Sequence, residues 1–231
     1  MKDIRKNGFA KRRAYETVKG LIVGGELRGG QAVTEIGLSE RLGISRTPIR
    51  EALHELEQEG LIVTRNRRKR VYMPTVREIE DIFDLKIEIE SAVAGWAAER
   101  GSAGQFEKLG RIVSEMRRVS EQRAGSEAGE KRRVEKWLDA EGRLGELLLE
   151  MGGNARAKQM IGNLDSQWQQ LKVGMLGLED RIEKSAAEYE GIVEAVCGRD
   201  AGKARGRMRL HLERIKKELI RIMKMAHYAA I

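Results

Sequence analysis

Residues 45–60, SRTPIREALHELEQEG, have the pattern of a short amphipathic helix. Ser45 can cap this helix, Pro48 fits its first turn, and Gly60 ends it. The apolar side chains recur at helical spacing and predict an inward face formed by Ile49, Ala52, Leu53 and Leu56. The opposite face is predicted to carry the polar side chains of Thr47, Arg50, Glu51, His54 and Gln58.

The sequence around this helix predicts two further helices and a hairpin. An apolar face ending at Gly24-Gly25 predicts the first helix, and Thr34 can cap a second helix that runs to Leu42. Short β-prone stretches at 61–64 and 70–73 flank a basic tip at 65–69. Three helices and a hairpin wing predict a winged helix-turn-helix for residues 1–74.

The remainder, residues 75–231, is predicted to be all helical. Pro74 marks the domain boundary, and Thr75 with Glu78 has the spacing of a capping box. Asp200 can cap the last helix. The predicted helices run from 75 to about 100 and then over 103–123, 128–151, 155–175, 178–197 and 201–228. Their wide apolar faces favour an antiparallel bundle, so the fold class is mainly α.

Charge is divided unevenly between these parts. The net charge is +8, of which residues 1–76 carry +7 and residues 77–231 carry +1. Attraction to nucleic-acid phosphates explains such asymmetry, although a solvated basic surface or an acidic membrane would also fit. No stretch is long and apolar enough to predict a membrane span. The lone Cys197 is expected to be a buried apolar residue in a cytoplasmic protein.

The N-terminal end of the helix over 45–60 is the candidate DNA-reading element. Such a helix presents that end to base edges, where Arg binds guanine in a bidentate manner and Thr binds a base or phosphate. Its four glutamates favour an end-on approach to DNA. The candidate DNA-binding residues are Ser45, Arg46, Thr47, Arg50 and His54 on the helix and Arg67, Arg68 and Lys69 on the wing. An ordinary amphipathic helix remains the alternative, as does a merely solvated His54.

The run LSERLGISRTPIREALHELEQEGLI, at 38–62, resembles the GntR family of bacterial transcription regulators. The stretch LKIEIESAVAGWAAER, at 85–100, is similar to the first helix of the FadR-type C-terminal ligand-binding domain, the FCD domain. Further matches, ELLLEMGGN, IVEAVCGRDAGKA and MRLHL, extend the resemblance over nearly the whole chain.

This resemblance implies a homodimer that binds a palindromic double-stranded DNA operator and responds to a small metabolite, often a carboxylic acid. It also assigns DNA reading to Arg46, Thr47 and Arg50, with help from the wing. The wing departs from the family, because the usual turn glycine is missing and Lys69 falls at about its place. Ile36 falls where some relatives have a DNA-contacting arginine, so that contact is not expected.

Many FCD domains bind a divalent metal through one aspartate and three histidines. The corresponding positions here hold Glu141, Gly145, Tyr189 and His211, with Asp139 close by in sequence. Too few of these are good ligands, so we expect no metal cofactor. Lys86, Glu141, Tyr189 and His211 are instead the candidate residues for an anionic effector. The alternative is that they satisfy one another in a closed core.

The sequence therefore predicts an effector-responsive, homodimeric DNA-binding repressor. A second possibility is a regulator whose helical domain has lost sensing and serves only dimerisation or protein partners. An enzyme is not expected, because the sequence offers no nucleophile–base pair, phosphate loop or metal cage.

Overall fold

The computed structural model of the chain describes residues 2–122, 125–176 and 180–228, and their side chains except at 2–8, 23, 127, 166–176 and 225–228. The chain divides into two compact units. Residues 1–75 with 165–174 form the first, here called the N-terminal unit; residues 76–164 with 175–231 form the second, the helical unit. The domain limits 1–74 and 75–231 stay a prediction.

Apart from residues 165–174, the N-terminal unit contains three helices and a two-stranded antiparallel sheet in the described part of the chain. Its core is apolar and is built from all three helices and both strands, including Val18, Ile49, Leu53, Ile62 and Val71. This arrangement confirms the winged helix-turn-helix expected from the sequence. Its elements are α1 (Lys2–Val23), α2 (Glu35–Leu42), α3 (Arg46–Gln58), β1 (Ile62–Arg65) and β2 (Arg68–Val71).

Local signals in the sequence account for the bounds of α2. The Thr34 side chain accepts a hydrogen bond from the backbone N–H of Gly37 at 3.1 Å, which satisfies one of the free donors of the first turn. Gly43 follows the last residue and has a positive φ of 64°, a conformation that glycine adopts without steric cost. The helix therefore begins after the predicted cap, Thr34, and ends at Leu42 as predicted.

The turn of the wing differs from its predicted position. Arg65 pairs with Arg68, so Asn66 and Arg67 form a two-residue loop. Both have a positive φ, 51° and 60°, as in the type I′ turns that match the twist of a hairpin. The position at which this turn favours glycine is therefore Arg67. Lys69, where the family resemblance placed the turn glycine, lies within β2 opposite Thr64 and not in this turn.

The helical unit follows the predicted succession of helices, with bounds from α5 onward that agree to within three residues. Asp200 caps the last helix, since its carboxylate accepts a hydrogen bond from the Lys203 backbone N–H at 2.9 Å. The helices are α4 (Val76–Arg100), α5 (Ala103–Glu121), α6 (Glu127–Gly152), α7 (Ala155–Leu176), α8 (Arg181–Cys197) and α9 (Ala201–Tyr228). Residues 165–174 of α7 are grouped with the N-terminal unit.

Helix α4 packs against α9, α6 and α8, while α5 packs against α6 and α8. Two ion pairs, Asp84–Lys216 and Glu88–Arg209, show that α4 and α9 run antiparallel, because the numbering rises along one helix as it falls along the other. The same reasoning applies to α8 and α9. This packing fits the antiparallel bundle predicted from the apolar faces.

Cys197 is exposed, which contradicts its expected burial. It is the last residue of α8 and is followed by the C-cap residue Gly198. None of the described helices is long and apolar enough to cross a membrane.

Candidate functional site

The N-terminal end of α3 presents a cluster of exposed polar residues. Arg46, Thr47 and Arg50 are all exposed, whereas Ile49 and Leu53 of the same helix are fully buried. Ser45 is the N-cap residue, but its side chain makes no capping hydrogen bond to the described first turn. Its hydroxyl is therefore available at the same end of the helix.

The acidic residues of α3 are largely neutralised from the sides. Glu55 pairs with Lys11 at 2.9 Å, and Glu59 pairs with Lys19 at 2.8 Å. Burial acts to raise the pKa of Glu59, but hydrogen bonds from Lys19 and Tyr15 outweigh it and lower the pKa below its usual value. The carboxylates along the middle and end of α3 are therefore neutralised by lysines of α1.

The wing divides its cations between two roles. Arg67 and Arg68 are exposed and have no ion pair with any described residue. The Lys69 ammonium instead pairs with Glu57 of α3, and Thr64 donates to the same carboxylate at 2.5 Å. The hydrogen bond from Lys69, followed by that from Thr64, lowers the pKa of Glu57. Lys69 thus fastens the wing to α3.

His54 lies on the exposed face of α3, one turn beyond Arg50. Its Nε2 lies 3.4 Å from the side-chain nitrogen of Gln58. No described acidic side chain pairs with it. The exposed ring is therefore available to a group outside the protein. The DNA-binding roles of His54 and of the other candidate residues stay predictions.

In the helical unit, three of the four candidate effector residues come together. Tyr189 of α8 donates a hydrogen bond from its hydroxyl to Glu141 Oε1 of α6 at 2.9 Å. Its ring centroid lies 4.5 Å from that of His211 on α9. His211 Nε2 is buried and has no hydrogen-bond partner among the described residues. Such an atom can bind a polar group of a ligand.

Lys86, the fourth candidate, is buried on α4 and pairs with Glu90 one turn along the same helix. One residue further along, the Ser91 hydroxyl is buried and makes no hydrogen bond to the described part of the chain. Helix α4 therefore contributes to the interior of the unit both a paired cation and a hydroxyl that makes no hydrogen bond to a described residue.

A buried charge network beside His211 was not foreseen from the sequence. Glu188 accepts from His211 Nδ1 at 2.6 Å and from Arg214 at 3.0 Å, and it pairs with the buried Arg181 at 3.3 Å. Burial acts to raise the pKa of Glu188, but His211, Arg214 and Arg181 together lower it. Arg181 lies two helical turns before Tyr189 on α8, so helical periodicity alone could have predicted that it faces the interior.

The family's metal site does not fit the residues present. Gly145 offers no side chain, and the Tyr189 hydroxyl is engaged as a donor to Glu141. Asp139 is exposed and pairs with Arg143 at 2.9 Å. Glu141 and His211 alone fall short of the three ligands that a stable site needs. Among the described residues no cluster of three or more His, Cys, Asp or Glu could hold a metal ion.

An exposed basic end on α3, an adjacent basic wing and a separate helical unit define a winged helix-turn-helix DNA-binding regulator. Residues 10–72 match the gntR family of bacterial regulatory proteins, and residues 81–214, more than half of the chain, match the FCD domain. The chain therefore belongs to the GntR family of bacterial transcription regulators, in the group with an FCD domain, and is not an enzyme.

Two bacterial regulators whose sequences match most of the chain support this assignment. The chain is 22% identical to the HTH-type transcriptional regulator YdhC of Bacillus subtilis, over 79% of this chain and 78% of that protein. It is 25% identical to an HTH-type transcriptional regulator from an unstable DNA locus of Streptomyces ambofaciens, over 94% of this chain and 88% of that protein. The structure of E. coli McbR/YncC matches its fold with a TM-score of 0.70 at 16% identity, covering 94% of this chain and 98% of that one.

Proposed function

We propose that this protein is a homodimeric repressor that reads a palindromic operator and releases it when a small anionic metabolite binds the helical unit. The observation that carries the DNA-reading part is the exposure of Arg46, Thr47 and Arg50 at one end of α3. The guanidinium groups of Arg46 and Arg50, which pair with no described residue, can bind guanine edges in the major groove. Operator DNA and a cytosolic metabolite both imply a cytoplasmic location.

A homodimer follows from the form of the operator. Two-fold DNA sites require two reading helices held at a fixed spacing of one helical turn. The helical unit is the better candidate for self-association, since its sequence is nearly neutral whereas residues 1–76 carry +7. Light scattering of the protein without DNA should give the mass of two chains, and a single-chain mass at micromolar concentration would contradict the homodimer.

Substitution of Arg50 tests the reading role. Arg50→Ala should reduce affinity for a duplex selected by the wild-type protein from a randomised pool, by about 1–3 kcal/mol for each reading helix. Affinity for mixed-sequence DNA should change little. Arg132→Ala is a matched control, because Arg132 is exposed on α6 of the other unit and has no ion-pair partner among the described residues. An unchanged preference for the selected duplex in Arg50→Ala would disprove the assignment.

The effector proposal rests on buried polar atoms in the helical unit. His211 Nε2 and the Ser91 hydroxyl can bind a ligand, and Lys86 can supply positive charge if it exchanges Glu90 for an anion. A ligand raises the melting temperature by mass action. A set of small carboxylic acids, such as acetate, lactate, malonate and citrate, should include one that does so in the wild type and not in Lys86→Met.

The competing function is a helical domain that does not sense metabolites. The bonds of Tyr189 to Glu141 and of His211 to Glu188 favour it, because they already satisfy much of the interior. In that case no acid would shift the melting temperature, and operator affinity would be the same with and without each acid. The two readings thus predict opposite results from the same measurement.

A further inference from the structure

Helix α1 begins before the DNA-binding domain that the family shares. The helical backbone starts at Lys2, whereas the match to the gntR family starts at residue 10. The additional residues 2–9 amount to about two helical turns, or roughly 12 Å of helix. This prefix is a feature of the chain that the shared domain does not account for.

The residues of this prefix and of the next turn are distributed unevenly around the helix. Ala14, Val18 and Ile22 are fully buried and define the core side. At 100° per residue, positions 2, 5, 6, 9, 12 and 13 fall on the opposite side of the helical backbone. Apart from Phe9, these positions are all basic, and we call them the N-terminal basic face: Lys2, Arg5, Lys6, Arg12 and Arg13.

The described members of this face are accessible. Arg12 and Arg13 are exposed, and neither has an ion pair with any described residue. Phe9, between the basic positions, is 74% exposed. Lys11, on the side toward α3, is by contrast paired with Glu55. The cations that hold α1 to α3 are thus separate from those that face outward.

The direction of α1 brings this face toward the reading end of α3. Lys11 pairs with Glu55 and Lys19 with Glu59, so the two helices run in the same sense along their contact. The hydrogen bond and charge of Glu55 raise the pKa of Lys11, and Glu51, one turn nearer the start of α3, adds to the effect. The beginning of α1 therefore extends toward the end of α3 that carries Arg46 and Arg50.

We propose that the N-terminal basic face binds the phosphate backbone of DNA flanking the bases read by α3. This inference rests on the operator binding proposed above and adds a second, sequence-independent contact surface to it. DNA is the partner because α1 begins toward the reading end of α3 in the same unit, and because five basic positions along one side of a helix attract the phosphates of a duplex. Glu16, exposed one turn further along α1, marks where the basic character ends.

The test compares two triple variants that lose the same charge. Lys2→Gln/Arg5→Gln/Lys6→Gln removes three cations of the face. Lys131→Gln/Arg132→Gln/Lys136→Gln removes three exposed cations of α6 in the helical unit. Affinity for a mixed-sequence duplex about four helical turns long, roughly 40 base pairs, is measured against salt concentration. A double variant, Arg12→Gln/Arg13→Gln, repeats the test within the shared domain, at two side chains that are exposed in the structure.

The slope of log affinity against log salt should fall by about one unit for each lost phosphate contact in both variants of the face, and should stay at the wild-type value in the α6 control. Affinity for a selected operator should fall by the same factor as affinity for mixed DNA, because phosphate contacts do not read sequence. Equal slopes for the face variants and the control would overturn the inference while leaving operator binding intact. A wild-type protein without salt-dependent affinity for either duplex would overturn both.

Discussion

The exposed arginines at the DNA-reading end of the N-terminal unit and the buried charges of the helical unit serve opposite purposes. In the N-terminal unit, Arg46, Arg50, Arg67 and Arg68 point outward and have no ion-pair partner among the described residues. In the helical unit, the buried charges are paired, as in Lys86 with Glu90 and Arg181 with Glu188 and Glu218. Charges without protein partners are available to an external polyanion, whereas paired buried charges constrain the fold.

Because of this difference, the same number of basic residues can affect DNA binding in one unit and stability in the other. An exposed arginine contributes little to stability but can contribute strongly to DNA binding. A buried arginine contributes to stability only while its carboxylate partners remain, since removing a partner leaves the buried charges less well compensated. Substitutions in the two units should therefore affect different measurements, and the predictions below test that separation.

The largest expected effect is on the stability of the helical unit. Glu188→Ala leaves Arg181 and His211 without their shared carboxylate and should lower the free energy of unfolding by about 3–5 kcal/mol. Denaturant unfolding measures this loss. Glu213→Ala on the exposed side of α9 is the control and should stay within about 0.5 kcal/mol of the wild type. Similar losses from both variants would show that the ion pairs of Glu188 contribute no more to stability than an exposed glutamate does.

The contribution of Glu188 should also depend on pH. Its pKa is lowered in the folded state, so its ionised form adds stability above the unfolded pKa of about 4.3. That stability is lost as the pH falls through the lower, folded pKa. The difference in unfolding free energy between the wild type and Glu188→Gln should therefore shrink as the pH is reduced below about 4.3. A difference that stays constant down to acid unfolding would contradict the assignment.

The next effect concerns DNA binding and should separate the cations of the wing. Arg67→Gln/Arg68→Gln should flatten the dependence of log affinity on log salt by about one unit per lost phosphate contact, with little change in stability. Lys69→Gln should leave this slope closer to that of the wild type but weaken the link to Glu57, a partly exposed pair worth about 0.2–1 kcal/mol. If Lys69→Gln flattens the slope as much as the arginine variant does, Lys69 leaves Glu57 when DNA binds.

The smallest effect is expected at the turn of the wing. Arg67 has a φ of 60°, so Arg67→Gly should relieve backbone strain and stabilise the N-terminal unit by up to about 1 kcal/mol, once the greater freedom of unfolded glycine is included. The same change should weaken binding to mixed-sequence DNA. Asn66→Gly is the comparison variant and should gain less, because asparagine tolerates this conformation. A stability loss in Arg67→Gly would argue against the two-residue turn.

The N-terminal unit could be predicted closely from the sequence because its signals are local. Thr34 and Gly43 fix the ends of α2, and the spacing of Ile49, Leu53 and Leu56 fixes which side of α3 is exposed. The turn of the wing was misplaced because strand register depends on pairing, which composition does not reveal. The pairing of Arg65 with Arg68 limits the loop to two residues. Arginine does not favour turns, so nothing in the sequence indicated that the strands pair at this position.

The interior of the helical unit could be predicted only in part. Helical spacing predicted the helices, and resemblance to the family indicated Glu141, Tyr189 and His211, all of which the structure brings together. The network around Glu188 depends on side chains from α8 and α9 meeting in space. Such long-range pairing of charges leaves no periodic signal in the sequence. The exposure of Cys197 likewise depends on where α8 ends.

The exposed thiol at the end of α8 provides a point for spectroscopic labelling. Cys197 is the only cysteine in the sequence, so a maleimide dye or spin label would attach at one defined position on each chain. Although Cys197 is exposed, neighbouring protein atoms partly shield the thiol from water and raise its pKa, so labelling should accelerate as the pH rises and more thiolate forms. In a symmetric dimer the two labels would report one distance, which could be followed during DNA binding without altering any basic residue of the N-terminal unit.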